Sequence, residues 1–168
     1  MQRAVIFTGD DKTGDLERLG PILASGKNGA VPPGTELLIH WGQENGGSRV
    51  PWNARVCLNR PEAQELSGNR RISKMLWRRA GLTVRGRLPQ AGFYRVCLVD
   101  LKPVGVYRAV RSRRRRRRAG PGVRFRRTRR QGLAMQEVIL AAQRALHVLR
   151  LDFGVVDAGL DSKKKPYV

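Results

Sequence analysis

Fourteen basic residues and no acidic one fall between positions 101 and 131, and this segment limits the fold more than any other feature. Arg113 to Arg118 are consecutive, and Arg124, Arg126, Arg127, Arg129 and Arg130 follow after Ala119-Gly120-Pro121-Gly122. Arginines that repel one another cannot share a core, because an unpaired buried charge costs too much. A compact structure must therefore be assembled from the sequence on either side. Gly-Pro-Gly breaks regular structure, so residues 111–122 are expected to form an exposed loop between ordered elements. The guanidinium fork matches phosphate oxygens, so the segment reads either as a phosphate-binding arm or as a solvated loop. Phe125 is the one aromatic between Arg111 and Arg130, whereas single-strand binders interleave several rings with their basic residues.

The rest of the chain is far less charged. Of 168 residues, 34 are Lys or Arg and 13 Asp or Glu, a net +21. Residues 1–100 hold 15 basic and 9 acidic residues, and residues 132–168 hold 5 and 4. Such a balance excludes an acidic solvating protein and points to polyanions: nucleic acid, nucleotide phosphates or an anionic membrane surface. No apolar run approaches the ~18–20 residues that span a bilayer. Ala4-Val5-Ile6-Phe7 is too short for a signal-peptide core, so a cytoplasmic protein is expected.

Apolar runs bounded by turn residues predict strands at Arg3–Gly9, Glu36–Trp41 and Arg55–Leu58. Asp15–Ala24 is a weak helix candidate. Asn59-Arg60-Pro61-Glu62 predicts a helix start, with Asn59 as cap and Pro61 in the first turn. Gly68 interrupts this helix, Asn69 caps its continuation, and Gly81 fits the stop. Phe93–Val99 and Val104–Val110 predict a hairpin, with Tyr94, Val96 and Leu98 on one face and Arg95, Cys97 and Val99 on the other. Leu133–Leu149 carries an apolar stripe at helical spacing opposite Gln136, Gln143 and His147. Leu151–Leu160 is expected as a strand, and Pro166-Tyr167-Val168 as the start of another. That last strand is so short that the chain reads as cut short, with a sheet edge exposed at its end.

Chemistry is reached mainly by elimination. Cys57 and Cys97 sit in apolar strands and are expected to be reduced thiols. His147 lies on a polar helix face, and His40 beside Trp41-Gly42 is expected to be packed or capped rather than a site residue. No zinc spacing, nucleophile elbow or Walker-type loop occurs, and the glycines of Gly42–Gly47 are a weak signal. Asp152 and Asp157 stand in an otherwise apolar strand, an odd number of residues apart, so their side chains point to opposite faces. A carboxylate there must be paired, hydrogen-bonded or bound to a hard cation such as Mg²⁺. Both readings remain open for Asp157, and a structural role is expected for Asp152.

Ala145 to Asp157, reading ALHVLRLDFGVVD, followed by Pro166-Tyr167-Val168, resembles the C-terminal signature of the ATP-grasp superfamily, where a strand near "LGLDFGAVD" returns through "PYVLEVN". Tyr94-Arg95-Val96 with Val104–Arg108 resembles that family's "YRVHV" hairpin. Leu58–Ala63, Asn69-Arg70-Arg71 and Ala80-Gly81-Leu82 resemble its pre-grasp helix. The nearest branch is the bacterial and phage carboxylate–amine ligase-like proteins, and the likeness runs discontinuously over about residues 55–168. The resemblance implies an α/β fold, with a pre-grasp-like lobe over 1–81 and a partial grasp core over 82–168. It implies ATP and Mg²⁺ as cofactors, a small carboxylate and an amine or peptide as substrates, and an acyl-phosphate intermediate. Carried over by position, Arg95 is the catalytic and phosphate-steadying candidate, Arg108 a second phosphate ligand, and Asp157 a metal ligand. The chain stops before the Glu and Asn that usually complete the metal site, which implies a truncated core. Two other readings compete: a basic nucleic-acid-binding protein acting through residues 111–130, and an inactive domain whose exposed C-terminal sheet edge recruits a second chain.

Overall fold

Three short apolar segments near the N-terminus pair side by side as a parallel sheet. They are β1 (Ala4–Thr8), β2 (Leu37–Trp41) and β3 (Val56–Leu58), in the order β1-β2-β3. Ala4 to Thr8 lie opposite Leu37 to Trp41, and Leu37 to Ile39 opposite Val56 to Leu58. The structure, a computed structural model, describes residues 4–8, 34–41, 56–89, 92–115, 121–128 and 132–168. The helix expected at Asp15–Ala24 and the loop at Gly42–Pro51 lie outside the described residues. The chain divides into two compact units, Met1–Ile72 and Ser73–Val168. The division falls inside a helix, earlier than the expected boundary at 81/82.

In the first unit β3 leads into helix α1 (Pro61–Gly68), with Pro61 in its first turn as expected. The expected cap is corrected: Arg60 holds the cap position, without a side-chain cap bond. Asn59 instead takes a left-handed backbone, φ 52°, and is buried. Asn adopts that conformation more readily than most residues, so the chain turns there and the helix begins one residue later. Asn69 does cap α2 (Arg70–Arg79): its Oδ1 accepts from the N–H groups of Arg71 and Ile72 at 3.1 and 3.2 Å.

The second unit takes the end of α2 and the longer, antiparallel sheet. α2 stops where Gly81, at φ 77°, lets its N–H donate to Arg78 O and that of Leu82 to Trp77 O, both at 2.9 Å. This is the Schellman closure expected of a glycine stop. Then come β4 (Tyr94–Val99), β5 (Lys102–Arg115), β6 (Pro121–Arg127), α3 (Leu133–Val148), β7 (Phe153–Leu160) and β8 (Pro166–Tyr167), with sheet order β6-β5-β4-β7-β8. The β4–β5 turn puts Asp100 and Leu101 at φ 48° and 56°, the left-handed pair of a two-residue hairpin. Just beyond it the register slips by one residue at Cys97/Leu98.

The core lies where α3 crosses one face of this sheet. Val138, Ala142, Ala145 and Leu146 are fully buried against Val96, Leu98, Val106 and Ala158. The small alanines let the helix approach closely. A Cβ on Gly154 would stand 2.8 Å from Leu146 Cδ1, so the glycine makes room for that leucine. Trp77 packs on the same cluster and donates its indole N–H to Ala145 O at 2.9 Å. His147 is exposed, as the polar-face reading required.

Two expectations are overturned here. The loop expected at 111–122 is corrected where the chain is described: residues 111–115 belong to β5 and Pro121-Gly122 open β6, while residues 116–120 lie outside the described residues. Pro121 takes the first strand position, where a missing N–H costs little. A two-stranded ribbon, moreover, satisfies its backbone while leaving both faces to water, so it tolerates arginines that a core would not. Nor is the C-terminal strand edge exposed. Val168 N–H donates to Thr83 O and Val168 O accepts from Arg85 N–H, both at 2.9 Å. The segment around Val84 thus bonds the side of β8 that faces away from β7, in the pattern of a parallel bridge. Tyr167 and Val168 are 2% and 6% exposed.

Candidate functional site

Strand alternation sorts the residues of the large sheet before any distance is measured. Val96, Leu98, Val106, Val156 and Ala158 face α3, so Arg95, Cys97, Tyr107 and Asp157 occupy the opposite face. Arg95 lies directly across from Asp157 on β7 and from Tyr107 on β5.

Arg95 and Asp157 meet as a fork. Arg95 Nε donates to Asp157 Oδ1 at 2.9 Å, and Nη2 donates to Oδ2 at 3.0 Å. The Arg95 guanidinium also sits over the Phe125 ring, 4.0 Å from its centroid. Phe125, from β6, is braced edge-on by buried Phe93 at 6.0 Å between centroids and 76° between planes. A guanidinium between a carboxylate and an aromatic face keeps its orientation and its charge. The hydrogen bond to Asp157 raises the Arg95 pKa further, against the smaller opposing effect of burial. The pair is partly exposed, at 39% and 24% of the two side chains, so it orders the site more than it stabilises the fold.

Two further groups lie along this face. Burial pushes the Cys97 thiol up, against a smaller lowering by Arg95, so it stays protonated at neutral pH and is a poor nucleophile. Neither Cys57 nor Cys97 is in a disulfide. On β8, Tyr167 lies across from Gly159, and a Cβ on that glycine would come within 2.5 Å of the phenol oxygen. Arg85 stacks over the Tyr167 ring at 4.4 Å, and burial raises this phenol too.

The candidates taken from the sequence are thus divided. Arg95 and Asp157 are brought together. Arg108 is not: it lies across from Tyr94 and from Arg126, so it projects from the opposite face. Asp152 is exposed, and its carbonyl accepts from Asp100 N–H at 2.7 Å, bracing the hairpin turn. Among the described residues no three His, Cys, Asp or Glu side chains gather as metal ligands. Both Asp157 oxygens are also engaged by Arg95. A hard cation wants several oxygens, so this donor set does not fit Mg²⁺. The arrangement fits an anion better: the fork uses two of five guanidinium N–H donors and leaves the others for a ligand.

Phe93, Phe125 and Tyr107 escaped the sequence reading. Phe93 shares the odd-numbered alternation of Arg95 and was open to inference. Phe125 required knowing that the arginine segment is a strand.

No protein-family model matches the sequence, and no curated protein is significantly similar to it. Solved structures are similar at the level of the fold. The structure of the ATP-grasp ligase PsnB complexed with minimal precursor superposes with a TM-score of 0.68 at 12% identity, covering 100% of this chain and 89% of that one. The structure of the same ligase complexed with minimal precursor, Mg and ADP gives 0.60 at 13% identity, with the same coverage. The chain has an ATP-grasp-like α/β fold.

Proposed function

We propose that the chain is a nucleotide-binding protein of ATP-grasp type, related to ATP-dependent carboxylate–amine ligases, with Arg95 as its phosphate-steadying residue. The observation that carries the reading is the oriented Arg95 guanidinium on the sheet face away from α3, in a fold shared with an ATP-grasp ligase. In such chemistry the ATP γ-phosphoryl passes to a carboxylate and an amine then displaces phosphate. The chain's own contribution is electrostatic. Arg95 exchanges part of its Asp157 contact for a phosphate or acyl-phosphate oxygen, and Phe125 holds the guanidinium in plane meanwhile. The substrate is a small carboxylate with an amine or peptide partner, and two cysteines outside any disulfide suit a reducing, cytoplasmic setting.

Calorimetric titration of ATP with Mg²⁺ into the full chain and into Arg95→Gln tests this. Saturable binding that weakens at least tenfold in the variant is expected, a loss of about 1.4 kcal/mol. No heat at millimolar nucleotide, or equal affinity in the variant, rejects it.

A further inference from the structure

The feature that the ligase-like reading leaves unused is the hairpin of β5 and β6. β4 pairs with β5 only over Lys102–Arg108, whereas β5 continues to Arg115 alongside β6. The outer part of the hairpin is therefore a two-stranded ribbon running past the end of β4. Arg111 and Arg124 are exposed on it, and Arg108, Arg126 and Arg127 are exposed at its base, where β5 still pairs with β4. Arg108 and Arg126 stand directly opposite each other across the ladder, and Tyr107 opposite Arg127. Like charges in directly opposed positions destabilise a hairpin by roughly 0.2–1 kcal/mol. No acidic residue within 101–131 offsets them. The ribbon thus carries a charge cost that a polyanion would relieve.

We propose that the β5–β6 ribbon is a binding arm for double-stranded DNA, gripping phosphates through arginines on both of its faces. Two antiparallel strands lie about 4.8 Å apart, and a ribbon of that width enters the ~12 Å major groove of B-form DNA. The deep, narrow major groove of an RNA duplex does not admit it. A single strand is the poorer fit: β5 and β6 carry two aromatic rings, Tyr107 and Phe125, and Arg95 and Phe93 already engage Phe125. Phosphate contacts carry no sequence information of their own, so an arm that grips phosphates is expected to bind without sequence preference.

The test is fluorescence anisotropy of a labelled random-sequence 20-base-pair DNA duplex with the full chain at several salt concentrations. Three proteins are compared: the wild type, the ribbon variant Arg111→Gln/Arg124→Gln/Arg126→Gln, and a charge-matched control, Arg70→Gln/Arg78→Gln/Arg79→Gln on α2. Melting curves confirm that each variant folds, and the ribbon variant is expected to melt no lower than wild type because it relieves repulsion. The wild type should bind with a steep negative salt dependence. The ribbon variant should lose about 2–3 units of that log–log slope, at roughly 0.9 per phosphate contact, and the control none. Equal losses in both variants mean diffuse attraction to a basic protein and overturn the proposal. So does displacement of the DNA by an equally charged polyglutamate or RNA duplex at the same concentration as by unlabelled DNA. The experiment uses no nucleotide, so its outcome is independent of ATP binding.

Discussion

The two ends of the large sheet solve the edge problem in opposite ways. At one end β8 has two residues, Pro166 and Tyr167, yet it is among the most buried parts of the chain. At the other, β5 and β6 run for 14 and 7 residues, and the described arginines on them face water. Length does not decide how firmly a strand is held. β8 is secured by a phenol seated against Gly159, an arginine stacked above it, and backbone bonds to β7 on one side and to Thr83 and Arg85 on the other. The ribbon is secured mainly by its ladder and by Phe125 against Phe93. Stability should therefore be concentrated at the short end and binding at the long one.

The comparison breaks first at Tyr167. Truncation to Ala empties a buried site and should cost about 3–5 kcal/mol in urea unfolding. Phe125→Ala, on the half-exposed ribbon, should cost much less, and similar losses would erase the distinction. The same phenol gives the short end a pH signature. Its folded pKa is raised by burial above the ordinary value near 10. Its contribution is then complete below about pH 10 and is lost as pH rises through the folded value. Melting temperature should fall above pH 10 in the wild type, and more shallowly in Tyr167→Phe.

Gly159→Ala should cost about 1–3 kcal/mol, because the new methyl group would overlap the Tyr167 ring. Pairing it with Tyr167→Ala, which removes the clash, should recover most of that loss in a double-mutant cycle. The smallest effect belongs to the ribbon. Arg126→Thr removes one of two opposed arginines and should stabilise the chain by about 0.2–1 kcal/mol at low salt, with the gain fading as salt screens the repulsion.

How far the sequence could be read follows the same division. Where side-chain burial dictates structure, the pattern was legible: the α3 stripe, the Gly81 stop, the Asn69 cap and the alternation on β4 are all found. Where burial is slight, local signals misled. Gly-Pro-Gly reads as a break, but a solvated ribbon accepts both residue types at a strand start. Arg108 shows the subtler failure. Counting outward from the Asp100-Leu101 turn without interruption pairs Arg95 with Val106, which places Arg108 on the Arg95 face. The one-residue slip at Cys97/Leu98 makes the pair Arg95–Tyr107 and sends Arg108 to the other side. The extra residue is Val104, between Pro103 and Gly105, residue types that often mark a bulge, so a local signal was present that uninterrupted counting does not use to set the register. Asp157 was legible as a carboxylate needing a partner, and Arg95 as a site arginine. That each is the other's partner is a long-range fact, set by the β4–β7 register.

The central claim is that Arg95 is a phosphate ligand restrained by Asp157. It is tested most directly by titrating ATP, without magnesium, into wild type and Asp157→Asn. Neutralising the carboxylate removes the competitor for the guanidinium, so the account predicts tighter magnesium-free binding in the variant, by roughly threefold to tenfold for a partly exposed pair. Unchanged or weaker binding in a variant that still melts cooperatively would contradict it.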